Sequence, residues 1–351
     1  MKRLRGHNCL FRLMTQIEKN RQLQRAFYGL YRWYVDRSQT QRNWSADRSF
    51  DWRLLRRNHS PELVRIVEGF YAVEQYVPDY TAELTRLARG NYGRAHFQLR
   101  WGAEEEKHAD LWRNTLLFSR ARTPEQIEEY TDDLRKSAWV PPFESPIEMI
   151  LYTVFQERAT QMNYMNLRAV AEGKSDKPQF AQDSDQVLAE VCRMIAVDEA
   201  AHFDFFLAGA QLYLYYFPEE TLEALVKVFR HFAMPASDII PDYDGFVKVL
   251  YDGGIFTREI YAREVAPMAL EKLGVTSIRA IEQGIRRSRQ VPDTEGTLRE
   301  TAIFETEVQA GYNKTIVESA VMNLFGRIQR YEAEVGLDEV APLFGKQGVV
   351  A

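Results

Sequence analysis

Of only six histidines in 351 residues, two stand three residues after a glutamate. One pair is Glu105/His108, in Trp101-Gly102-Ala103-Glu104-Glu105-Glu106-Lys107-His108. The other is Glu199/His202, in Asp198-Glu199-Ala200-Ala201-His202. Positions i and i+3 are neighbours on one helix face, so carboxylate and imidazole can grip one metal from a single helix. A lone pair of this kind is commonplace on a solvated helix. Here two more glutamates lie in apolar runs: Glu74 after Phe70-Tyr71-Ala72-Val73, and Glu157 after Leu151-Tyr152-Thr153-Val154-Phe155-Gln156. A buried, unpaired carboxylate is costly, so each needs a partner, a metal or exposure. Val154 and Thr153, one turn before Glu157, argue against exposure. Bringing all six side chains together requires long helices with converging faces.

The apolar periodicity supplies such helices. Ser60-Pro61 opens one, with Ser60 as N-cap; it runs on through a kink at Pro78 and closes near Gly90-Asn91 or Gly93. A second covers roughly 92–119. Thr123-Pro124 starts a short third. Ser145-Pro146, with Glu148, opens a long helix to about Ala171, ended by Gly173. After a polar loop at 174–184, another runs from about Asp185 to Tyr216, before Pro218. Three or four shorter helices follow between Glu219 and Glu334. Strand signals are nearly absent. Glycine (19) and proline (13) are sparse, as long helices require. The order Glu, Glu-x-x-His, Glu, Glu-x-x-His on four helices is the pattern of a di-metal carboxylate four-helix bundle. The expected fold is therefore all-α: a helical extension at 1–60, the bundle at 61–272, and C-terminal helices at 273–351 packing on it. Gln290–Gly296 reads as a surface loop, and 344–351 as a loose tail.

Composition narrows the function. A chain 45% hydrophobic and 27% charged is not disordered. A net charge of −5 makes it a poor general nucleic-acid binder. Cys9 and Cys192 cannot make a disulfide framework and fit a reducing cytosol. The longest apolar stretch tested, Phe205 to Phe217, falls short of the roughly 20 residues a membrane helix needs. The basic start, Met1-Lys2-Arg3-Leu4-Arg5, is not followed by a signal-peptide core. The expectation is a cytoplasmic protein with no transmembrane segment. Four carboxylates and two imidazoles would balance two divalent cations, and this donor set suits iron or manganese.

At this point the sequence resembles the soluble acyl-acyl-carrier-protein desaturases, which are ferritin-like di-iron carboxylate proteins. Phe155-Gln156-Glu157-Arg158-Ala159-Thr160 resembles their third-helix motif. The run from Trp101 to His108 resembles Trp-Thr-Ala-Glu-Glu-Asn-Arg-His. Ile195-Ala196-Val197-Asp198-Glu199-Ala200-Ala201-His202 resembles Ile-Ala-Ala-Asp-Glu-Lys-Arg-His. Glu74-Gln75-Tyr76-Val77-Pro78-Asp79-Tyr80 resembles Glu-Glu-Ala-Leu-Pro-Thr-Tyr, and Met234-Pro235-Ala236 the Met-Pro-Ala after the bundle. The resemblance spans roughly Trp44 to Leu273. It departs at Asp79 and Gly102, which stand where the family has threonine, and in the N-terminal segment to about Gln41.

The resemblance implies two iron ions held by Glu74, Glu105, His108, Glu157, Glu199 and His202, with Glu105 and Glu199 bridging. It makes Thr160 the threonine facing the oxygen site, able to relay a proton there; the plain alternative is a hydroxyl bonded to its own helix. Asp198 would accept a hydrogen bond from a ligating histidine, and Trp101 and Trp44 would lie near the irons. The implied activity is O2-dependent introduction of a cis double bond into an acyl chain on acyl carrier protein. A ferredoxin-type donor would supply electrons to a homodimer. Carrier docking needs basic residues; Arg53, Arg56 and Arg57 form one candidate cluster, and Arg86, Arg89, Arg94 and Arg100 another. The alternatives are a related oxygenase that hydroxylates a carrier-bound substrate, a ferritin-type iron-storage protein, and a ribonucleotide reductase small subunit. Storage proteins are far shorter. The reductase carries its radical tyrosine where this chain has Trp112.

Overall fold

The computed structural model describes residues 14–289 and 304–343. The expected loop at Gln290–Gly296, the tail at 344–351, the basic N-terminus and Cys9 lie outside the described residues. Among the described residues, nine α-helices carry the chain to residue 252: α1 Gln16–Gln41, α2 Pro61–Glu74, α3 Val77–Ala88, α4 Tyr92–Phe118, α5 Pro124–Leu134, α6 Pro146–Ala171, α7 Gln186–Tyr216, α8 Pro218–His231 and α9 Tyr243–Asp252. Among the described residues there is no strand, only an isolated bridge between Val275 and Tyr312. The fold is all-α, as expected.

The caps explain where the helices start. Ser60 accepts from the Leu63 N–H with Pro61 in the first turn. Asn91 caps α4, and Thr123 with Gln126 forms a capping box on α5. Ser145 caps α6 ahead of Pro146. Asp185 takes the N–H groups of Val187 and Leu188 at the start of α7. Each side-chain oxygen satisfies donors that the first helical turn leaves orphaned.

Two expectations are corrected. The helix opened by Pro61 does not continue through a kink at Pro78. It ends at Glu74, and α3 restarts at Val77. Pro78 has no N–H for the carbonyl of residue 74, and its ring fits the first turn of a new helix. Glu74 therefore sits at a helix end. The region after Glu219 holds more than three or four short helices. Beyond α8 and α9 it contains Arg258–Ile260, a π turn at Tyr261–Val265, Ala266–Lys272, Ile278–Ser288, Phe304–Val308 and Lys314–Glu334. The last spans 21 residues, and Val317, Val321, Leu324 and Ile328 line its buried face.

The four site-bearing units form the bundle. α6 packs extensively along α7, and α2 and α3 lie along α4. α1 lies against α4 and α7, and Lys314–Glu334 against α7 and α1. Gly102 makes the α3–α4 contact possible: a Cβ there would stand 2.2 Å from Thr81 Oγ1. That explains glycine in place of the family's threonine. Asp79, the other departure, accepts the backbone N–H of Trp139 at 2.9 Å, tying α3 to the chain between α5 and α6. Among the described residues, no helix is long and apolar enough to cross a membrane.

Candidate metal centre

The six predicted ligands converge. Glu74 ends α2, Glu105 and His108 share one face of α4, Glu157 lies mid-α6, and Glu199 and His202 share one face of α7. All six are buried, none more than 4% exposed. They form two overlapping groups, Glu74–Glu105–His108–Glu199 and Glu105–Glu157–Glu199–His202, and within each group one atom per residue lies within 4.8 Å of the others. Glu105 and Glu199 belong to both groups. Glu105 turns one oxygen to each imidazole, Oε2 at 2.8 Å from His108 Nδ1 and Oε1 at 2.9 Å from His202 Nδ1. Glu199 lies 3.4 Å from His108 Nδ1, and Glu157 3.5 Å from His202 Nδ1.

The donor set fits a pair of cations. Both oxygens of Glu199 and Oε2 of Glu157 are buried without a hydrogen-bond donor. Orphaned carboxylate oxygens at such depth are unfavourable unless something positive meets them. Burial and the charge of Glu105 push Glu74 up to about 8. Burial and the charge of Glu199 hold Glu157 well above the usual carboxylate range. Burial also raises Glu105, but the neighbouring His108 and His202 outweigh it and bring its carboxyl down to about 2. Burial opposes charging the two imidazoles, yet the carboxylates around His108, and Tyr34 with Glu105 and Glu104 around His202, hold both well above the ordinary histidine value.

The outer partners are arranged crosswise. Asp198, on α7, reaches the histidine of α4: its Oδ2 lies 3.5 Å from His108 Nε2. It also accepts Trp44 Nε1 at 2.9 Å and Arg42 Nη1 at 2.9 Å. Glu104, on α4, reaches the histidine of α7: its Oε2 lies 3.0 Å from His202 Nε2. Tyr34 donates to the same oxygen at 2.5 Å, and Ser38 and Arg100 donate to Oε1. Trp101 Nε1 donates to Glu157 at 3.1 Å, and Tyr164 to Glu74 at 2.5 Å. The Trp44 indole stacks on the His108 ring, with centroids 6.1 Å apart.

Glu104, Tyr34, Arg42 and Tyr164 escaped the sequence reading. Glu104 had a visible signal: like Asp198, it is an acid immediately before a ligand glutamate and four residues before a histidine. The other three had none.

Thr160 lines a cavity together with Glu74, Glu105 and Glu199. Its hydroxyl donates to the Gln156 carbonyl at 3.0 Å and accepts from Gln156 Nε2 at 3.1 Å, so it is both site-facing and helix-bonded. Leu84, Met149, Tyr152 and Trp139 give the same cavity an apolar wall. The second basic cluster is split: Arg86 and Arg89 are exposed, with Arg86 paired to Glu83 and Glu144, while the other two turn inward. Arg94 is buried, donating to the Pro146 carbonyl, and Arg100 turns inward to Glu104 and Ser38. In the first cluster Arg53, Arg56 and Arg57 are all exposed, and Arg56 also donates to the Ser184 carbonyl.

A family model described as fatty acid desaturase matches residues 56–299. DesA1 of Mycobacterium tuberculosis, named as an acyl-acyl-carrier-protein desaturase, is 25% identical over 207 residues, covering 57% of each chain. Acyl-acyl-carrier-protein desaturase 3, chloroplastic, of Oryza sativa is 27% identical over 240 residues, covering 63% of this chain and 56% of the relative. The chain thus spans a little over half the length of these curated relatives. The solved structure of DesA2 from Mycobacterium tuberculosis H37Rv, titled an acyl-ACP desaturase, aligns with a TM-score of 0.48 at 21% identity, covering 71% of this chain and 93% of that one.

Proposed function

The chain belongs to the fatty acid desaturase family, and on that premise we propose that it is an O2-dependent di-iron enzyme that introduces a cis double bond into an acyl chain carried by acyl carrier protein. The observation that carries this reading is the meeting of Glu105 and Glu199, each shared by two ligand groups, beside a cavity with an apolar wall. Glu74 and His108 would hold one iron, Glu157 and His202 the other, with Glu105 and Glu199 bridging. Four carboxylates against two divalent cations leave the buried site near neutral, and oxygen-rich ligation with one imidazole per metal suits iron.

Bound there, the iron pair supplies the O2 chemistry that removes one hydrogen from each of two adjacent methylenes. The chain's own groups do the rest. Met149, Tyr152 and Leu84 hold the acyl chain and keep water from it. Thr160 presents a hydroxyl to the site and can pass a proton there by giving up its bond to the Gln156 carbonyl. Asp198 and Glu104 orient the two imidazoles through their outer nitrogens. The overall balance is acyl chain plus O2, two electrons and two protons, giving alkene and two waters. The electrons come from a ferredoxin-type donor, and the working enzyme is a homodimer. The acidic carrier docks on the exposed Arg53 and Arg57.

The deciding experiment incubates the iron-loaded, reduced protein with a panel of acyl carrier protein thioesters and O2, followed by mass spectrometry. Loss of two hydrogens is expected. Gain of one oxygen would instead identify a hydroxylase. No change in any thioester would overturn the proposal.

A further inference from the structure

The family match begins at residue 56, yet the metal centre is completed by side chains that precede it. Tyr34 and Ser38 come from α1, and Arg42 and Trp44 from the stretch after it. They sort into two chains of contact. Tyr34 reaches His202 through Glu104: 2.5 Å from phenol to Oε2, then 3.0 Å from the same oxygen to Nε2. Trp44 reaches His108 through Asp198: 2.9 Å to Oδ2, then 3.5 Å to Nε2. Arg42 stands between them, 2.9 Å from Asp198 and 3.6 Å from Glu104. Each histidine thus has its own acid, and each acid its own aromatic donor.

We propose that Tyr34 is a positioning residue for His202 alone, so that α1 sets the affinity of one metal ion of the pair independently of the other. A donor to the carboxylate that holds a ligating imidazole fixes the ring's orientation and tunes its basicity. The phenol-to-carboxylate bond is charge-assisted and buried, which makes it one of the stronger donors Glu104 has. The ring itself is fixed separately. Phe97 and Phe205 meet it edge-on, at centroid distances of 4.9 and 5.5 Å. Tyr34→Phe therefore removes the donor and leaves the packing. This inference rests on the di-metal reading above.

The test titrates the metal-free full-length protein anaerobically with cobalt(II), following heat and the cobalt absorption bands, and then records Mössbauer spectra of protein loaded with iron-57. The unaltered protein should bind a pair of ions and give two iron environments. Tyr34→Phe should weaken one binding step about tenfold, the lower end of typical outer-partner effects. It should change one iron environment and leave the other step within about twofold. Trp44→Phe should move the other step and the other environment. Ser38→Ala, which removes a second donor from Glu104, should act on the same step as Tyr34→Phe. Melting curves of the metal-free variants separate a folding loss from a loss at the site. Equal weakening of both steps by Tyr34→Phe and Ser38→Ala, or no effect of either, overturns the inference and leaves the di-metal reading standing. Failure of the unaltered protein to bind a metal pair overturns that reading and the inference with it.

Discussion

Glu105 offers one oxygen to each imidazole, and this single side chain joins the two halves of the site. Its replacement, Glu105→Gln, should reduce bound iron from a pair to less than one per chain by elemental analysis, with helicity unchanged by circular dichroism. The metal-free site also carries protons that cations must displace. Glu74, at about 8, and Glu157, held well above the usual carboxylate range, keep protons near neutrality, as do both imidazoles. Metal binding therefore releases protons, and affinity should rise as pH increases from about 6 to 8. Calorimetry in buffers of different ionisation enthalpy measures the release; an affinity independent of pH would contradict it. At this scale the ligands were legible because a helix repeats: acid and imidazole three apart must share a face. Glu104 carried the same signal as Asp198, its place directly before a ligand glutamate, yet the sequence reading passed over it. Tyr34 and Ser38 were not legible, since they lie 70 and 66 residues from Glu104 and no spacing rule links them to it.

At the scale of elements, helix starts followed local chemistry closely enough to be read directly. Asp185 is the sharpest case. It caps α7, and it also accepts the Arg56 N–H and lies 3.1 Å from His59 Nε2. Burial raises its carboxyl, but these donors outweigh burial and hold it below the usual range. Because the folded value is depressed, the stabilisation is complete above the unfolded carboxylate value of about 4 and is lost as pH falls through the folded value. Asp185→Ala should cost about 1–2 kcal/mol at pH 7 in urea unfolding, and less at acid pH. The break between α2 and α3 was harder to read. Pro78 signals an interruption, but kink and restart leave the same sequence trace. Gly102 stood in the sequence only as a departure from the family's threonine; the structure supplies the reason, since α3 places Thr81 against it. Gly102→Val should destabilise the protein by about 1–3 kcal/mol through that clash, measured in the same way.

For the whole molecule, the buried acids change what net charge means. Glu74, Glu105, Glu157 and Glu199 lie inside, so the outer surface is less acidic than −5 suggests, which favours an acidic partner. Arg53→Glu with Arg57→Glu should raise KM for the acylated carrier, most strongly at low salt, with kcat little changed. Unchanged KM would remove this face from consideration. Sequence alone could not separate this cluster from the one around Arg94. A guanidinium one turn from Gln98 looks solvated until α6 and α7 close over it. The bundle was legible because long periodic helices leave few ways to bury their faces; that C-terminal helices pack on it was expected, but which bundle helices α1 and Lys314–Glu334 lie against was not, because it depends on contacts distant in sequence.

Crystallography of the iron-loaded protein, with anomalous data at the iron edge, bears most directly on the six-residue centre. Two peaks are expected, both touching Glu105 and Glu199, one also held by Glu74 and His108 and the other by Glu157 and His202. A single peak, or none among these residues in protein that has been loaded with iron, would contradict it.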